Sequence, residues 1–318
     1  MTRLVYISGE LVPEHEARIS IFDSAIMLGD TVTESTRTFR HIPFKLDEHI
    51  ERLYQSLKLT RIDPQMSPAE MKRVTLEVFE ANRSNYAPHQ DAWIVHNISR
   101  GLSVAGADPT KQLGAATVMI FTQPMNLLPW VDFYSRGCHG VTPMSRMVPS
   151  QSLDPRIKNR SRLAYTLAEM EAKLVDPRAQ SVILDLDGHV AENKGGNIFC
   201  VTKGVLRTPS TINCLAGISR ATALELAQGL GIPTEETSLL PYDLATADEM
   251  FFTSTPYCIM PATKFNGLVV GDGQVGPVTK RLLGAWSELV GLDIVGQAEA
   301  QREESSRGIQ LCASVRGD

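Results

Sequence analysis

The sequence lacks the features that mark membrane-spanning, disulfide-stabilised and metal-binding proteins. No apolar run approaches the ~18 residues that a membrane span requires. The five cysteines form no C-x-x-C pair, and the seven histidines show neither H-x-x-x-H nor H-E-x-x-H spacing, so we predict no metal site. We therefore predict buried or incidental thiols at Cys138, Cys200, Cys214, Cys258 and Cys312.

An excess of positive charge is also missing. The formal net charge is −5, whereas a nucleic-acid-binding surface favours a basic excess. Residues 1–23 alternate as a pair of strands does and contain no apolar core of the kind found in signal peptides. We therefore expect a cytoplasmic protein whose partners are neither nucleic acids nor membranes.

The length of 318 residues suits two domains. Segments rich in β-branched residues mix with helical segments without a strict βαβ rhythm, which predicts an α+β protein. Two prolines interrupt this pattern in residues 123–133. We predict a small N-terminal α/β domain at 1–122, an interdomain loop at 123–136, a larger domain at 137–300 and a polar tail at 301–318.

Lys158 stands at the entry to a predicted helix, after the turn residues Asp154 and Pro155. The simplest interpretation is a solvated cation. The alternative is a nucleophile, which needs a pKa well below the ordinary value of about 10.4. Neighbouring cations would lower that pKa, and three are close in sequence: Arg156, Arg160 and Arg162.

Two charged residues elsewhere have similarly open interpretations. Arg52 lies on a predicted helix capped by Asp47 and follows Glu48 by four residues, as a solvent-exposed ion pair would. Glu192 ends a predicted strand before the turn-like sequence NKGG, whose glycines suit close backbone approach. Neither residue points to a function by itself.

Two further segments could bind an anion. Gly217, Ile218 and Ser219 open a predicted helix, where free backbone N–H groups and the helix dipole favour negative charge. The strand FFTSTP ends in hydroxyl residues, Thr253, Ser254 and Thr255, which would either hold a phosphate or start a turn.

The sequence GDGQVG (271–276) matches the G-x-G-x-x-G pattern of dinucleotide-binding proteins. A doubly wound nucleotide-binding domain does not fit in the residues that remain after it. We predict a glycine-rich hairpin loop, and an NAD-dependent dehydrogenase stays a distant alternative.

Eight segments occur along the chain in one characteristic order: EARISIFDSAIMLGD (16–30), FKLDEHIERL (44–53), NISRG (97–101), DPRIKN (154–159), AENKGGNIF (191–199), CLAGISR (214–220), TSTPYCIMP (253–261) and DGQVGPVTK (272–280). In this order the chain resembles the class IV pyridoxal-phosphate aminotransferases. That family includes branched-chain and D-amino-acid aminotransferases, (R)-selective amine transaminases and aminodeoxychorismate lyase. The resemblance implies fold type IV, with a small N-terminal domain, a larger pseudo-barrel domain, the cofactor between them, and a homodimer.

The resemblance also implies roles for individual residues. Lys158 matches the lysine that forms a Schiff base with the cofactor and then moves the substrate proton. Glu192 matches the carboxylate that pairs with the pyridinium nitrogen, and Leu215 the apolar residue that packs on the ring. The residues that match the phosphate contacts are Arg52, Ile218, Ser219 and Thr255.

The substrate residues depart from the branched-chain pattern. Leu163 stands where branched-chain enzymes commonly have tyrosine, and Thr33 where many relatives have an aromatic residue. Arg100 matches an arginine that receives the substrate carboxylate in D-amino-acid enzymes, and Arg37 and Arg146 are further carboxylate candidates. HEARISIFD, LDPRIKN and GQVGPVTK are most similar to the (R)-amine transaminases.

We therefore predict a transaminase that takes the amino group of an (R)-amine or a D-amino acid and passes it to a 2-oxo acid such as pyruvate. The alternatives are a branched-chain L-amino-acid aminotransferase and a lyase of the aminodeoxychorismate type. A non-catalytic protein that kept the fold would not need Lys158 and Glu192.

Overall fold

The structure is a computed structural model that describes residues 2–104, 106, 108 and 111–315, with residues 308–315 described by their backbone alone. Two compact units compose it. Unit 1 contains residues 1–125 together with 153–163, and unit 2 contains residues 126–152 together with 164–318. The Lys158 segment therefore belongs to unit 1, although the sequence predicted it within the larger C-terminal domain.

Unit 1 is built on a six-stranded antiparallel sheet with the strand order β2-β1-β6-β5-β3-β4. Its strands are β1 (Leu4–Ile7), β2 (Glu10–Pro13), β3 (Thr31–Phe39), β4 (Ile42–Pro43), β5 (Ala92–Ser99) and β6 (Thr117–Pro124). Its helices are α1 (Ser24–Met27), α2 (Leu46–Thr60) and α3 (Pro68–Asn82), followed by a 3₁₀ turn (Arg83–Asn85).

Helices α2 and α3 supply the apolar side chains that pack with the sheet. Ile50, Leu53 and Leu57 of α2 form one buried stripe, as their helical spacing predicts. Ser67 starts α3 with a capping box that satisfies two free N–H groups of the first turn. Asp47 lies inside the first turn of α2 and does not cap it, because the helix begins one residue earlier.

Unit 2 contains an eight-stranded mixed sheet of order β13-β12-β11-β14-β15-β7-β8, with β16 added to β15, and a separate β9–β10 pair. Its strands are β7 (Cys138–Val141), β8 (Gln180–Ser181), β9 (Ile183–Leu184), β10 (Val190–Glu192), β11 (Asn197–Thr202), β12 (Val205–Pro209), β13 (Thr234–Thr237), β14 (Glu249–Ser254), β15 (Cys258–Phe265) and β16 (Leu268–Val269). Its helices are α4 (Phe133–Arg136), α5 (Leu163–Val175), α6 (Ile218–Gly229), α7 (Pro241–Ala245), α8 (Pro277–Val290) and α9 (Ile294–Val315).

The mixture of antiparallel and parallel pairs with packed helices confirms the predicted α+β class. The C-terminal segment differs from its prediction, because helix α9 runs through residues that were expected to form an irregular polar tail. Its favourable helical composition outweighs its polarity.

The cysteine prediction is confirmed for the four thiols that the structure describes. Cys138, Cys200, Cys214 and Cys258 are buried and free, whereas the side chain of Cys312 lies outside the described residues. Within the described ranges, no helix is both long enough and apolar enough to cross a membrane.

His96 of β5 makes the core of unit 1 sensitive to acid. Its side chain is fully buried, with Nε2 2.8 Å from the Thr75 hydroxyl oxygen. Burial lowers the pKa of His96 to about 4. The unfolded chain, whose histidine pKa is near 6.5, therefore binds more protons between pH 4 and 6.5, and the free energy of unfolding falls as the pH falls through this window.

We expect the unfolding free energy of the native protein to drop by about 2 kcal/mol more between pH 7 and pH 5 than that of a His96→Gln variant. Denaturant unfolding of unit 1 at both pH values measures this difference. His15→Gln, at an exposed histidine, is the matched control and should retain the full acid sensitivity. An equal pH dependence in the native protein and His96→Gln would contradict the assignment.

Candidate active site

Lys158 is held by the backbone of β3. The Thr33 N–H donates to the Lys158 carbonyl at 2.8 Å, and the Arg160 N–H donates to the Thr31 carbonyl at 2.8 Å. Val32 and Asn159 form the bridge between these two bonds. The lysine segment is therefore paired like a short extra strand, which fixes where the Lys158 side chain starts.

Helix α2 provides another contact for the same segment. The Ser56 hydroxyl accepts a hydrogen bond from the Lys158 N–H at 3.2 Å. Both backbone polar groups of Lys158 are thus bound inside unit 1, and its side chain is partly buried. These contacts are those of a positioned residue and differ from those expected of a solvated cation at a helix entry.

Arg52 is buried, with 7% of its surface exposed, and does not form the predicted exposed pair with Glu48. Its Nε and Nη2 donate to the two carboxylate oxygens of Glu34 at 2.8 and 2.7 Å. His49 Nδ1 lies 3.0 Å from the same carboxylate. The interpretation of Arg52 as a solvated arginine is therefore wrong, because its partner lies on β3 and not on its own helix.

The charges in this cluster are mutually stabilised. Burial would raise the pKa of Glu34, but the charges and hydrogen bonds of Arg52 and His49 outweigh it and hold this pKa well below its usual range. The pKa of His49 is lowered by burial, and the positive charges of Arg52 and Lys158 contribute. A neutral His49 therefore donates Nδ1–H to an ionised Glu34, with the Lys158 ammonium close enough to affect it.

In unit 2, Glu192 ends β10 with its carboxylate buried and held at both oxygens. The Tyr165 hydroxyl donates to Oε1 at 2.7 Å and the Leu215 N–H donates to Oε2 at 2.9 Å. Asn197 Nδ2 in turn donates to the Leu215 carbonyl at 2.8 Å. Glu192 is thus a fixed, buried acceptor and not an exposed acidic turn residue.

Tyr165 and Asn197 were not identified from the sequence. The predicted position for a site tyrosine holds Leu163, whose side chain is 71% exposed. Tyr165 lies two residues further along α5 and reaches Glu192 from there. An aromatic residue within one helical turn of the expected position was the signal available in the sequence.

The N-terminus of α6 is suited to an anion. Gly217 is its N-cap, no side-chain cap bond is made to it, and its first turn contains no acidic residue. A Cβ at Gly217 would lie only 2.1 Å from Asn197 Oδ1, so the backbone passes too close for any other residue. The N–H groups of Ile218 and Ser219 therefore form a site that accommodates a phosphate.

The N-terminus of α8, after GDGQVG, has the opposite character. Glu249 accepts from the Val278 and Thr279 N–H groups, both at 2.8 Å. Its carboxylate occupies the place that a dinucleotide pyrophosphate would need, and a Cβ at Gly276 would collide with it. The glycines serve a tight turn and a helix start, as the hairpin-loop prediction holds.

The strand-end hydroxyls lie around the turn from β14 to β15. Ser254 Oγ donates to the Gly195 carbonyl, next to the loop that follows Glu192. Thr253 is 1% exposed, and among the described residues its hydroxyl has no hydrogen-bond partner. Thr255 follows in the turn itself and is partly buried.

The predicted substrate residues do not form one group. Thr33 Oγ1 donates to the His96 carbonyl inside unit 1. Arg37 is 1% exposed and pairs with Asp91. Arg146, in unit 2, donates to the carbonyls of two preceding residues, Pro143 and Met144.

Arg100 is also engaged within unit 1. Its guanidinium donates to Asp30 at 2.7 Å, and to the carbonyls of Thr60 and Arg61 at 2.8 and 2.9 Å. A role for Arg100, Arg37 or Arg146 in binding a substrate carboxylate stays a prediction. For Arg100 such a role requires that it exchange these partners.

Comparisons with known proteins identify a family. The family model described as Amino-transferase class IV matches residues 31–265. A Methanocaldococcus jannaschii protein named "Putative branched-chain-amino-acid aminotransferase" is 36% identical over 279 residues, covering 87% of this chain and 93% of its own length. The D-alanine aminotransferase of Bacillus licheniformis is 30% identical, covering 87% of this chain and 94% of its own.

Solved structures agree with this result. A branched-chain amino acid aminotransferase solved with pyridoxamine 5′-phosphate (source abbreviated T.th.) is 27% identical and superposes with a TM-score of 0.83, covering 92% of this chain and 95% of its own. The Escherichia coli branched-chain amino acid aminotransferase gives a TM-score of 0.84 at 28% identity, covering 91% and 95%. The family model and these relatives span most of the chain, and the chain therefore belongs to the class IV, pyridoxal-phosphate-dependent aminotransferases.

Proposed function

We propose that this aminotransferase uses Lys158 as its catalytic base and Glu192 as the partner of the cofactor's ring nitrogen. The observation that carries the proposal is the way Glu192 is held, buried and bonded at both oxygens by Tyr165 and the Leu215 N–H. A carboxylate fixed in this way is an acceptor for a protonated pyridine nitrogen. Bound pyridoxal phosphate supplies the electron sink that lets a substrate Cα lose its proton.

Lys158 would move that proton. Its backbone is bound to Thr33 and Ser56, so Nζ swings from a fixed base. The positive charge of Arg52 lies near it through His49 and Glu34, and neighbouring cations favour a neutral amine. A neutral Nζ can accept the Cα proton and deliver it again.

The phosphate group would be bound by donors of two kinds. Ile218 and Ser219 offer backbone N–H groups at the start of α6. Arg52 offers a guanidinium whose orientation Glu34 fixes. Ser254 and Thr255 add hydroxyls, and Leu215, whose N–H holds Glu192, is the apolar residue proposed to pack on the ring.

For the amino donor, the relatives favour a branched-chain amino acid. Proteins named as branched-chain aminotransferases include a relative at 36% identity and both structures described above. An (R)-amine or a D-amino acid, the first choice from the sequence motifs, is our second candidate. The 30% identity to D-alanine aminotransferase favours it. We propose a 2-oxo acid as the acceptor in either case, and the cytoplasm stays the predicted compartment.

Absorption spectroscopy of the holoenzyme tests the donor. We expect the visible band of the bound cofactor to bleach on addition of L-leucine without an acceptor, and to return when a 2-oxo acid is added. Bleaching by D-alanine or (R)-1-phenylethylamine alone would select the second candidate. A protein that bleaches with none of the three would contradict both.

Substitution tests the catalytic lysine. We expect Lys158→Ala to slow the bleaching by about 10²–10⁴-fold, the range contributed by a positioned acid–base group. Lys72→Ala, at an exposed ion pair on α3, is the matched control and should bleach at the native rate. Native rates in Lys158→Ala would remove Lys158 from the mechanism.

Substitution also tests the support of Glu192. Tyr165→Phe removes the bond to Oε1, and we expect the Kd for pyridoxal phosphate to rise about 3–10-fold. Tyr134→Phe loses a comparable buried bond, to the Tyr257 carbonyl at 2.9 Å, and should leave this Kd unchanged. Equal effects in the two variants would mean that Tyr165 acts only on general stability.

The proposed homodimer rests on an inverted helix. The buried residues of α5 are small, Ala168 and Ala172, whereas its large apolar residues Leu167, Met170 and Leu174 are 46%, 61% and 88% exposed. Their spacing places these three side chains on one face. A contiguous exposed apolar face marks an interaction surface, and we propose that a second copy of the chain covers it.

Sedimentation measures this assembly. We expect Met170→Glu to raise the dimer dissociation constant by roughly thirtyfold or more, as at a central interface position. Leu289→Glu places the same charge at an exposed leucine of α8 and should leave the dimer intact. A Met170→Glu variant that dimerises as tightly as Leu289→Glu would exclude this face.

A further inference from the structure

Glu34 is a buried charge that the proposed reaction does not use directly. It is 0% exposed, and its carboxylate accepts from Arg52 Nε and Nη2 and from the Ser35 N–H at 2.8 Å. His49 Nδ1 donates to the same group. A carboxylate buried in this way is costly unless it is fully bonded, so the cluster specifies one arrangement of Arg52.

The arrangement fixes the plane of the guanidinium. Two parallel bonds from Nε and Nη2 form a fork that a carboxylate holds in one orientation. A single bond would allow the side chain to rotate. With this edge bound to Glu34, the opposite edge of the guanidinium, which carries Nη1, has a fixed direction.

The same two elements also hold the catalytic lysine. On β3, Thr33 bonds the Lys158 carbonyl and its neighbour Glu34 bonds Arg52. On α2, Ser56 follows Arg52 by four residues and bonds the Lys158 N–H. The spacing between Lys158 and the guanidinium is thus set by one strand and one helix turn of unit 1.

We propose that Glu34, supported by His49, is a positioning residue that presets Arg52 for the cofactor phosphate and so makes the enzyme select phosphorylated over unphosphorylated pyridoxal. This inference rests on the proposed function of Arg52 as a phosphate contact. Glu34 touches neither cofactor nor substrate in this account and acts only through Arg52.

Simple charge compensation predicts the opposite sign. If Glu34 only neutralised Arg52, then removing its charge would leave a stronger field for the phosphate dianion, and the preference for the phosphorylated form would rise. If Glu34 orients Arg52, then Glu34→Gln loses one of the two bonds of the fork, and the preference falls.

The experiment measures the Kd of pyridoxal 5′-phosphate and of pyridoxal by equilibrium absorbance titration. For Glu34→Gln we expect the preference for the phosphorylated form, given by the ratio of the two constants, to fall about tenfold, with the pyridoxal Kd unchanged within about a factor of two. Asp91→Asn is the matched control, because it breaks the other buried arginine pair described in unit 1, with Arg37, and should keep the native ratio. A preference in Glu34→Gln that is unchanged or higher would overturn the proposal.

Arg52→Gln separates this proposal from the function on which it rests. A lost phosphate preference in Arg52→Gln together with a native ratio in Glu34→Gln would overturn the positioning role alone. A native ratio in Arg52→Gln would overturn the phosphate contact itself. If Glu34→Gln does not fold, His49→Gln removes one support of Glu34, and we expect a fall of about threefold, whereas a native ratio there would count against the proposal.

Discussion

The short pairing between β3 and residues 158–160 is the contact on which the rest of the active site depends. It places a lysine that is more than a hundred residues distant in sequence against the strand that also carries Glu34. A lysine side chain is long and flexible, and ordering it costs conformational entropy. Fixing its backbone on β3 and α2 limits that cost to the side chain, so Nζ works from one starting point.

Buried charge is arranged so that each ionised group has a partner and one remaining task. In unit 1, Glu34 holds Arg52 with bonds along one edge. In unit 2, Tyr165 and the Leu215 N–H hold Glu192. These contacts make the groups costly to displace before a cofactor binds, and a preorganised site loses little entropy when it does. The uncapped start of α6 contrasts with α8, whose N–H groups are already bonded to Glu249.

The sequence was informative where chemistry and local pattern coincide. Lys158 and Glu192 stand in motifs whose order identified the family, and the mixed α+β class followed from the period of the apolar residues. Arg52 was ambiguous, because its helix offered Glu48 as a plausible neighbour while its actual partner lies 18 residues earlier on a strand. Tyr165 was missed because the loop after Lys158 places the tyrosine later than the family spacing suggests. Such long-range pairings are properties of the fold and are not encoded by spacing along the chain.

The central claim is that Lys158 carries the cofactor, and chemical trapping tests it most directly. The holoenzyme would be reduced with borohydride, digested, and its peptides sequenced by mass spectrometry. We predict a phosphopyridoxyl group on Lys158 and on no other lysine in stoichiometric amount. A modification located on a different lysine, or a reduced holoenzyme with Lys158 unmodified, would contradict the account.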